Sequence, residues 1–313
     1  MDNYRLGYAC INMTLGAQKP RVTTNRSMIK RTFKEKGIEY ASELALQNVK
    51  DLRQILEWNL KNNITFFRMS SDIFPWASEY ALEDLPDFAE IEEILFECGL
   101  FAEEHGMRLT THPGPFNKLC SPKEQVVLNT IRDLEIHGKL MDLLCQPRTP
   151  QAKINIHVGG AYNDKPMALG NFCRNYARLS DAVRSRLTVE NDDKESLYST
   201  QELYDGIFKK IGIPIVHDYH HHHFCTGGLS QLDAVELARS TWGDVRPVVH
   251  YSQSRSVEHN GPKIRANAHS DSYWTAIDTF GFEMDVMLEC KHKELGLFKM
   301  RELMAENLSI AAK

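Results

Sequence analysis

Short apolar runs alternate with stretches of helical periodicity along the whole chain. The runs YRLGYAC (4–10), TFFRM (65–69), MRLTT (107–111), KINIHV (153–158), RLTVE (186–190), IPIVHD (213–218), PVVHY (247–251) and DVMLE (285–289) predict strands. Between them, Ala45, Val49, Leu52, Ile55 and Leu56 recur at helical spacing within 43–60. Similar patterns occupy 88–105, 123–145, 167–183, 200–211, 229–242 and 292–309, with a shorter one at 271–280. This alternation predicts an α/β fold, a (β/α)8 TIM barrel with its chemistry at the C-terminal ends of the strands, built as one domain over 1–313. An open, doubly wound sheet is the structural alternative. Two strand-to-helix connections, 11–42 and 252–270, are long enough to suggest functional loops.

The last residues of the strands change the picture. The third run is followed at once by His112, the fourth carries His157, the fifth Glu190, the sixth Asp218 with His221 beyond it, the seventh His250 and the eighth Glu289. In a barrel these ends converge on one mouth, where His269 can join them. Imidazole and carboxylate together suit divalent Zn, Mn or Fe. The set exceeds what one ion takes, so Glu190, central in the row, is a candidate bridge between two ions. Paired ions clamp a phosphodiester, activate water and stabilise the leaving oxygen. A lone histidine at a strand end is more often a hydrogen-bonded residue than a ligand; six such strands in succession argue for a metal site. Within HDYHHHHF (217–224), His217 should point to the other face of its strand, and His220, His222 and His223 read as packing groups.

Composition is that of an ordinary globular protein, 42% hydrophobic and 25% charged over 313 residues. No apolar run reaches the roughly 18 residues of a membrane span. The start, MDNYRLGYAC, lacks the pattern of a secretory signal, and seven cysteines without a CxxC suit a reducing compartment, so a cytoplasmic location is expected. A net charge of -5 argues against a polyanionic partner unless positive charge is concentrated locally. It is: Lys19, Arg21, Arg26, Lys30, Arg31, Lys34 and Lys36 face a single Glu35 in 19–36, and Arg255, Lys263 and Arg265 face Glu258 in the second long loop. Both loops follow strands, so both should rise beside the metal ligands and offer phosphate contacts. Trp76, Phe116 and Tyr162 also follow strands and could stack on exposed bases, although each alone is more often packing.

The segments LGYACINMTLG, FRMSSDIFPWAS (67–78), HPG (112–114), IHVGGAY (156–162), LTVENDD (187–193), HDYHH (217–221) and MLECKHKELGL (287–297) resemble UV-damage endonucleases, in order and over nearly the whole chain. The resemblance implies a barrel similar to endonuclease IV, with two or three divalent ions, manganese expected and zinc or magnesium as alternatives. It implies incision of damaged double-stranded DNA immediately 5′ to cyclobutane pyrimidine dimers and 6-4 photoproducts, leaving a 3′-hydroxyl and a 5′-phosphate. Carried over, His112, His157, Glu190, Asp218, His221, His250, His269 and Glu289 are the metal ligands, with Glu190, Asp218 and Glu289 catalytic. Tyr8 is expected near the damaged nucleotides, and Pro115-Phe116 as the pair that probes the duplex, beside the basic residues Arg21, Arg26, Lys30 and Arg31. Two departures stand out: Pro115 replaces a polar residue, and Val248 replaces a lysine that can reach the metals, leaving Lys153 or Lys263 as candidates for that role. A monomer without a required protein partner is expected. The rival readings are a divalent-metal sugar isomerase on the same barrel, with a small closed pocket and no basic loops over it, and a lesion-binding protein that does not cut.

Overall fold

A computed structural model describes residues 3–311. Its strands are β1 (Tyr4–Ala9), β2 (Phe66–Arg68), β3 (Arg108–Thr110), β4 (Ile154–His157), β5 (Leu187–Glu190), β6 (Ile215–Asp218), β7 (Val248–Tyr251) and β8 (Met284–Leu288). They form one sheet in the order β3-β2-β1-β8-β7-β6-β5-β4, with every paired neighbour parallel. The circle is completed between β3 and β4 by a single bridge, Thr111 to Ile154. Two backbone bonds make it: Thr111 N–H to the Lys153 carbonyl and Asn155 N–H to the Thr111 carbonyl, each 3.0 Å. The expected TIM barrel is therefore present, rather than an open sheet.

Helices Lys30–Lys61, Phe88–Glu104, Glu124–Leu143, Lys165–Tyr176, Gln231–Arg239 and Lys293–Ala311 surround the sheet. The first buries Ala41, Ala45, Val49, Leu52, Ile55 and Leu56 along one stripe. Each large aliphatic side chain in it contributes roughly 1.5–3 kcal/mol on burial. That helix begins earlier than its apolar period suggests. Its first turns carry the basic residues of 30–36 and are set off by a break at Gly37, whose φ of 74° is the left-handed region that glycine tolerates. The region 200–211 contains a π-helical segment, Tyr204–Phe208, inside its helical path.

The expected helix at 271–280 is absent, and those residues form bends and turns. Tyr273 and Ile277, spaced as on a helix, are buried by a loop folded onto the core, with Tyr273 stacked on Tyr251 at 5.6 Å. The connection between β7 and β8 is thus longer than the sequence pattern implies and carries only the short helix Arg255–Glu258.

At the N-terminal mouth of the barrel, Arg108 is fully buried and donates to Asp285 at 2.9 Å, with Arg5 and Arg246 on the same carboxylate. Burial pulls the Arg108 guanidinium down to about 10 while Asp285 opposes the shift. This polar plug fills one end. The core has two large clusters, one joining β1–β3, β7 and β8 to the first helices and the last, the other joining β4–β6 to the helices that follow them, and a smaller third made of Ala9, Phe66, Val216, Trp242, Val248 and Met287.

Candidate metal centre

Strand parity brings the ligand-type residues to the C-terminal mouth. At this mouth three groups of donor atoms lie close enough to hold an ion: His112, Glu190 and His250; His157, Glu190 and His221; and Glu190, Asp218, His250 and Glu289; a fourth group among the described residues, Glu258, His259 and Asp271, lies outside it in the connection between β7 and β8. Glu190 is common to all three. Its oxygens lie 3.1 Å from His112 Nε2, 3.2 Å from His250 Nδ1, 3.5 Å from His221 Nδ1 and 3.8 Å from His157 Nε2. Asn155 Nδ2 donates to it at 2.5 Å from the neighbouring strand. Burial would raise the Glu190 carboxyl, but the facing imidazoles outweigh this and hold it well below the usual range.

Supporting contacts orient the imidazoles. His112 Nδ1 lies 3.1 Å from the Pro113 carbonyl and His221 Nδ1 3.0 Å from the Asn191 carbonyl, contacts that place a proton on Nδ1 and leave Nε2 as the donor to a metal. His157 Nδ1 lies 3.2 Å from Asp192, the carboxylate–imidazole arrangement common behind metal ligands. Burial lowers His157, yet Glu190 and Asp192 raise it further, up to about 10. His221 is likewise raised, because Asp218 and Glu190 outweigh its burial. Asp218 caps the short turn Tyr219–His222 by accepting from His221 N–H at 2.8 Å, and burial pushes its carboxyl up to about 6.

One buried oxygen of the four-residue group, Asp218 Oδ2, makes no hydrogen bond. Unpaired polar atoms inside a protein are costly unless something fills the site. Hard carboxylates with imidazoles suit a divalent ion, so these residues fit the group that the sequence pattern implies.

His269 stands slightly apart. It lines the same cavity, its ring is 5.9 Å from that of His221, and its Nδ1 lies 3.0 Å from the Glu289 carbonyl, but it belongs to none of the three groups. In the histidine run, His217 is buried between Thr200 and Gln231, at 2.9 and 2.6 Å, away from the ligands. His220 and His222 are buried, each with a ring nitrogen lacking a hydrogen bond.

Three residues around the site were not singled out by the strand-end pattern. Arg68, closing β2, pairs with Glu289 and holds that carboxylate against the cluster. Asn191, just past Glu190, also accepts from Asp218 N–H at 2.7 Å. Asp192 backs His157. All three sit at or just past a strand end, and that position was the available signal. Lys153 is fully buried, with Nζ 3.2 Å from His250 Nε2, and burial lowers its ammonium to about 7, with Arg68 adding to the effect. It therefore stands beside the ligand that follows Val248 on β7, whereas Lys263 lies in the connection between β7 and β8.

The cavity over the ligands has a volume of about 460 Å³ and is bordered by Pro115, Lys118 and Lys194. Next to it lies a second hollow of about 510 Å³, with Phe116, Trp76, Asp72 and His137 in its wall. Phe116 is 67% exposed, so the Pro115-Phe116 pair stands on the ridge between the two. Trp76 adopts a left-handed backbone conformation, φ 59°, and Tyr162, also left-handed, is 39% exposed.

Tyr8 is placed differently from the expectation. It is completely buried, donates to Asn59 at 2.7 Å and accepts from Asn12 at 2.9 Å, so it braces the end of β1 instead of facing a nucleotide. Arg26 also turns inward, onto Asp51 at 2.7 Å and the carbonyls of Thr23 and Arg21. Arg21, Lys30 and Arg31 are exposed, and Arg31 pairs with Glu35 one helical turn on.

The family model for the UV-endonuclease UvdE matches residues 4–312. The chain belongs to the UvdE family. Among curated relatives, the UV-damage endonuclease of Schizosaccharomyces pombe is 38% identical over 311 residues, covering 95% of this chain and 50% of the relative. The UV DNA damage endonuclease of Clostridium perfringens is 33% identical over 303 residues, covering 94% and 69%. The chain thus spans about half the length of its S. pombe relative and of one from Neurospora crassa. The crystal structure of SacUVDE superposes with a TM-score of 0.82 at 31% identity, covering 97% of this chain and 98% of that one. A D-tagatose 3-epimerase-like protein shares the fold more loosely, with a TM-score of 0.56 at 14% identity over 81% of this chain and 92% of its own. The UvdE match spans every strand and all eight expected ligands.

Proposed function

We propose that this UvdE-family protein is a metal-dependent endonuclease that nicks UV-damaged duplex DNA immediately 5′ to cyclobutane pyrimidine dimers and 6-4 photoproducts, leaving a 3′-hydroxyl and a 5′-phosphate. The observation that carries the reading is the sharing of Glu190 by three donor groups in an open cavity beside an exposed aromatic. His112, His157, Glu190, Asp218, His221, His250 and Glu289, with His269 at the edge, would hold two or three divalent ions, manganese by resemblance. Bound ions activate water and neutralise charge on the phosphodiester and its leaving oxygen. Glu190 joins the donor groups, while Asp218 and Glu289 hold the far side. Phe116 offers a stacking face where a lesion has weakened the duplex, and Pro115 stiffens the loop that carries it. Arg21, Lys30 and Arg31 contribute phosphate contacts. The chain acts as one domain and a monomer, in the reducing setting that its free cysteines suit.

The test is incision of UV-irradiated and unirradiated plasmid, with and without chelator, and end-mapping of the nick. Nicking that needs both irradiation and metal, with the stated ends, supports the proposal. Turnover of a ketose or aldose would replace it with the isomerase reading, and lesion binding without nicking with the recognition reading.

A further inference from the structure

Beside the metal mouth, on the side of β1 and β8, lies a separate hollow of about 360 Å³. Its wall carries Arg21 from the connection after β1, Lys291 from the connection after β8 and Lys293 from the start of the last helix, beside the apolar side chains of Ile11 and Met13. No carboxylate lines it among the described residues. Lys293 and Arg21 have no ion pair among the described residues, and Lys291 has only a loose one, 3.6 Å from Asp271. The next carboxylate in the chain, Glu294, is buried and accepts from Met13 N–H at 2.8 Å and Thr14 N–H at 2.7 Å, so it faces the backbone of the first connection. Lys293 holds a left-handed φ of 51°, unusual for a residue with a long side chain.

Two cations without an ion pair and a third only loosely paired, beside the apolar side chains of Ile11 and Met13, fit an anion attached to an apolar body. We infer that this hollow seats one sugar–phosphate unit of the nucleic-acid strand being cut, with Lys291, Lys293 and Arg21 on the phosphate and Ile11 and Met13 against the deoxyribose. The inference rests on the proposed nuclease reading and deepens it. Lys291 follows the ligand Glu289 by two residues, so their Cα atoms lie within about 7 Å. Charges on one DNA strand advance about 3.4 Å along the axis, which puts the seat within a few nucleotides of the scissile bond. Lys118 and Lys194 border the metal cavity away from this hollow. The strand is therefore held on both flanks of the ions, and the bond to be cut is drawn across them.

The experiment uses the metal-loaded full chain and a lesion duplex in which one phosphate at a time on the incised strand is replaced by a neutral methylphosphonate. Wild type should lose affinity at one or two adjacent positions near the nick. The double variant Lys291→Gln, Lys293→Gln should bind damaged and undamaged duplex more weakly by a similar factor. Its salt slope should be lower by up to about 0.9, the release expected for one phosphate contact. The methylphosphonate penalty at those positions should shrink in it to what Arg21 alone supplies, and Lys291→Arg, Lys293→Arg should restore the full penalty. If the double variant keeps the full penalty at every position, the hollow is not a phosphate seat, whatever its overall affinity. Wild type that nicks but shows no position-specific penalty overturns the seat and leaves the nuclease reading standing. Wild type that shows the penalty but does not nick removes the nuclease reading and leaves the seat. Wild type that binds no duplex removes both.

Discussion

Replacing Glu190 by Gln tests the centre of the site, because the change keeps the side-chain volume and removes one charge from the point where three donor groups meet. Without Glu190, His112 and His250 remain as one pair and His157 and His221 as another, while Asp218, His250 and Glu289 still form a group of three. Two ligands rarely hold a divalent ion, so the variant should retain one ion, at the Asp218 side. A unit charge about 4 Å from another contributes about 4 kcal/mol at an effective dielectric near 20. That is the size of losing a main electrostatic stabiliser, a loss of about 10²–10³ in rate. The assay is single-turnover nicking of irradiated plasmid by protein whose metal content and fold have been measured. DNA binding should persist, since Arg21, Lys30 and Arg31 lie elsewhere. Full metal content together with near-normal nicking in Glu190→Gln would refute the bridging role.

Metal loading should depend on pH. His157 is held protonated up to about 10 in the metal-free site, and His221 is also raised, so an ion must expel protons that are present at neutral pH. Apparent affinity should therefore climb about tenfold per pH unit for each proton displaced, until pH passes the raised value, and calorimetry in buffers of different ionisation enthalpy should detect proton release; none at neutral pH would contradict the protonated His157. Phe116→Ala should lose roughly 1–3 kcal/mol of affinity for a lesion duplex, the worth of a base–aromatic stack, with little change on undamaged DNA; competitive binding that preserves the damaged-to-undamaged ratio would make Phe116 mere loop packing. Arg26→Gln should cost about 1.5–3 kcal/mol in urea unfolding, because it strips a charged hydrogen bond from buried Asp51, and leave the salt dependence of DNA binding nearly intact. The triple change of Arg21, Lys30 and Arg31 to Gln should do the reverse, flattening the salt slope without loss of stability.

The barrel was legible because its strands are short, buried on both faces and separated by helices of clear period. The ligands were legible because a buried strand that ends in an imidazole or carboxylate brings that group to the mouth with its own parity. The same two-sided burial hides the orientation of Tyr8: in YRLGYAC only Arg5 is charged, too little alternation to say which way the ring points. The sequence pattern makes Arg26 a phosphate contact like its basic neighbours, because Asp51, its partner, lies 25 positions on and in another element. Arg68 was passed over because arginine is no metal ligand, and its pairing with Glu289 spans 221 positions that only the closed barrel brings together. The false helix at 271–280 shows the limit of periodicity, since Tyr273 and Ile277 at a spacing of four satisfy a tucked loop as well as a helical face.

The single bridge between β3 and β4 has a mechanical consequence. Every other strand junction is a ladder, but here two backbone bonds close the circle, and the two large core clusters meet across this line. His112 extends from one lip and His157 from the other, and both reach Glu190. Ions shared through Glu190 would rivet the lips together, so the cofactor would complete the barrel as well as the chemistry. Stripping the metal should loosen Thr111 and Asn155 first, with faster amide exchange there than along β1 or β8. The ridge of Pro115 and Phe116 rises from one of those lips, so the part that presses on DNA stands on the line of the wall that the metals hold shut.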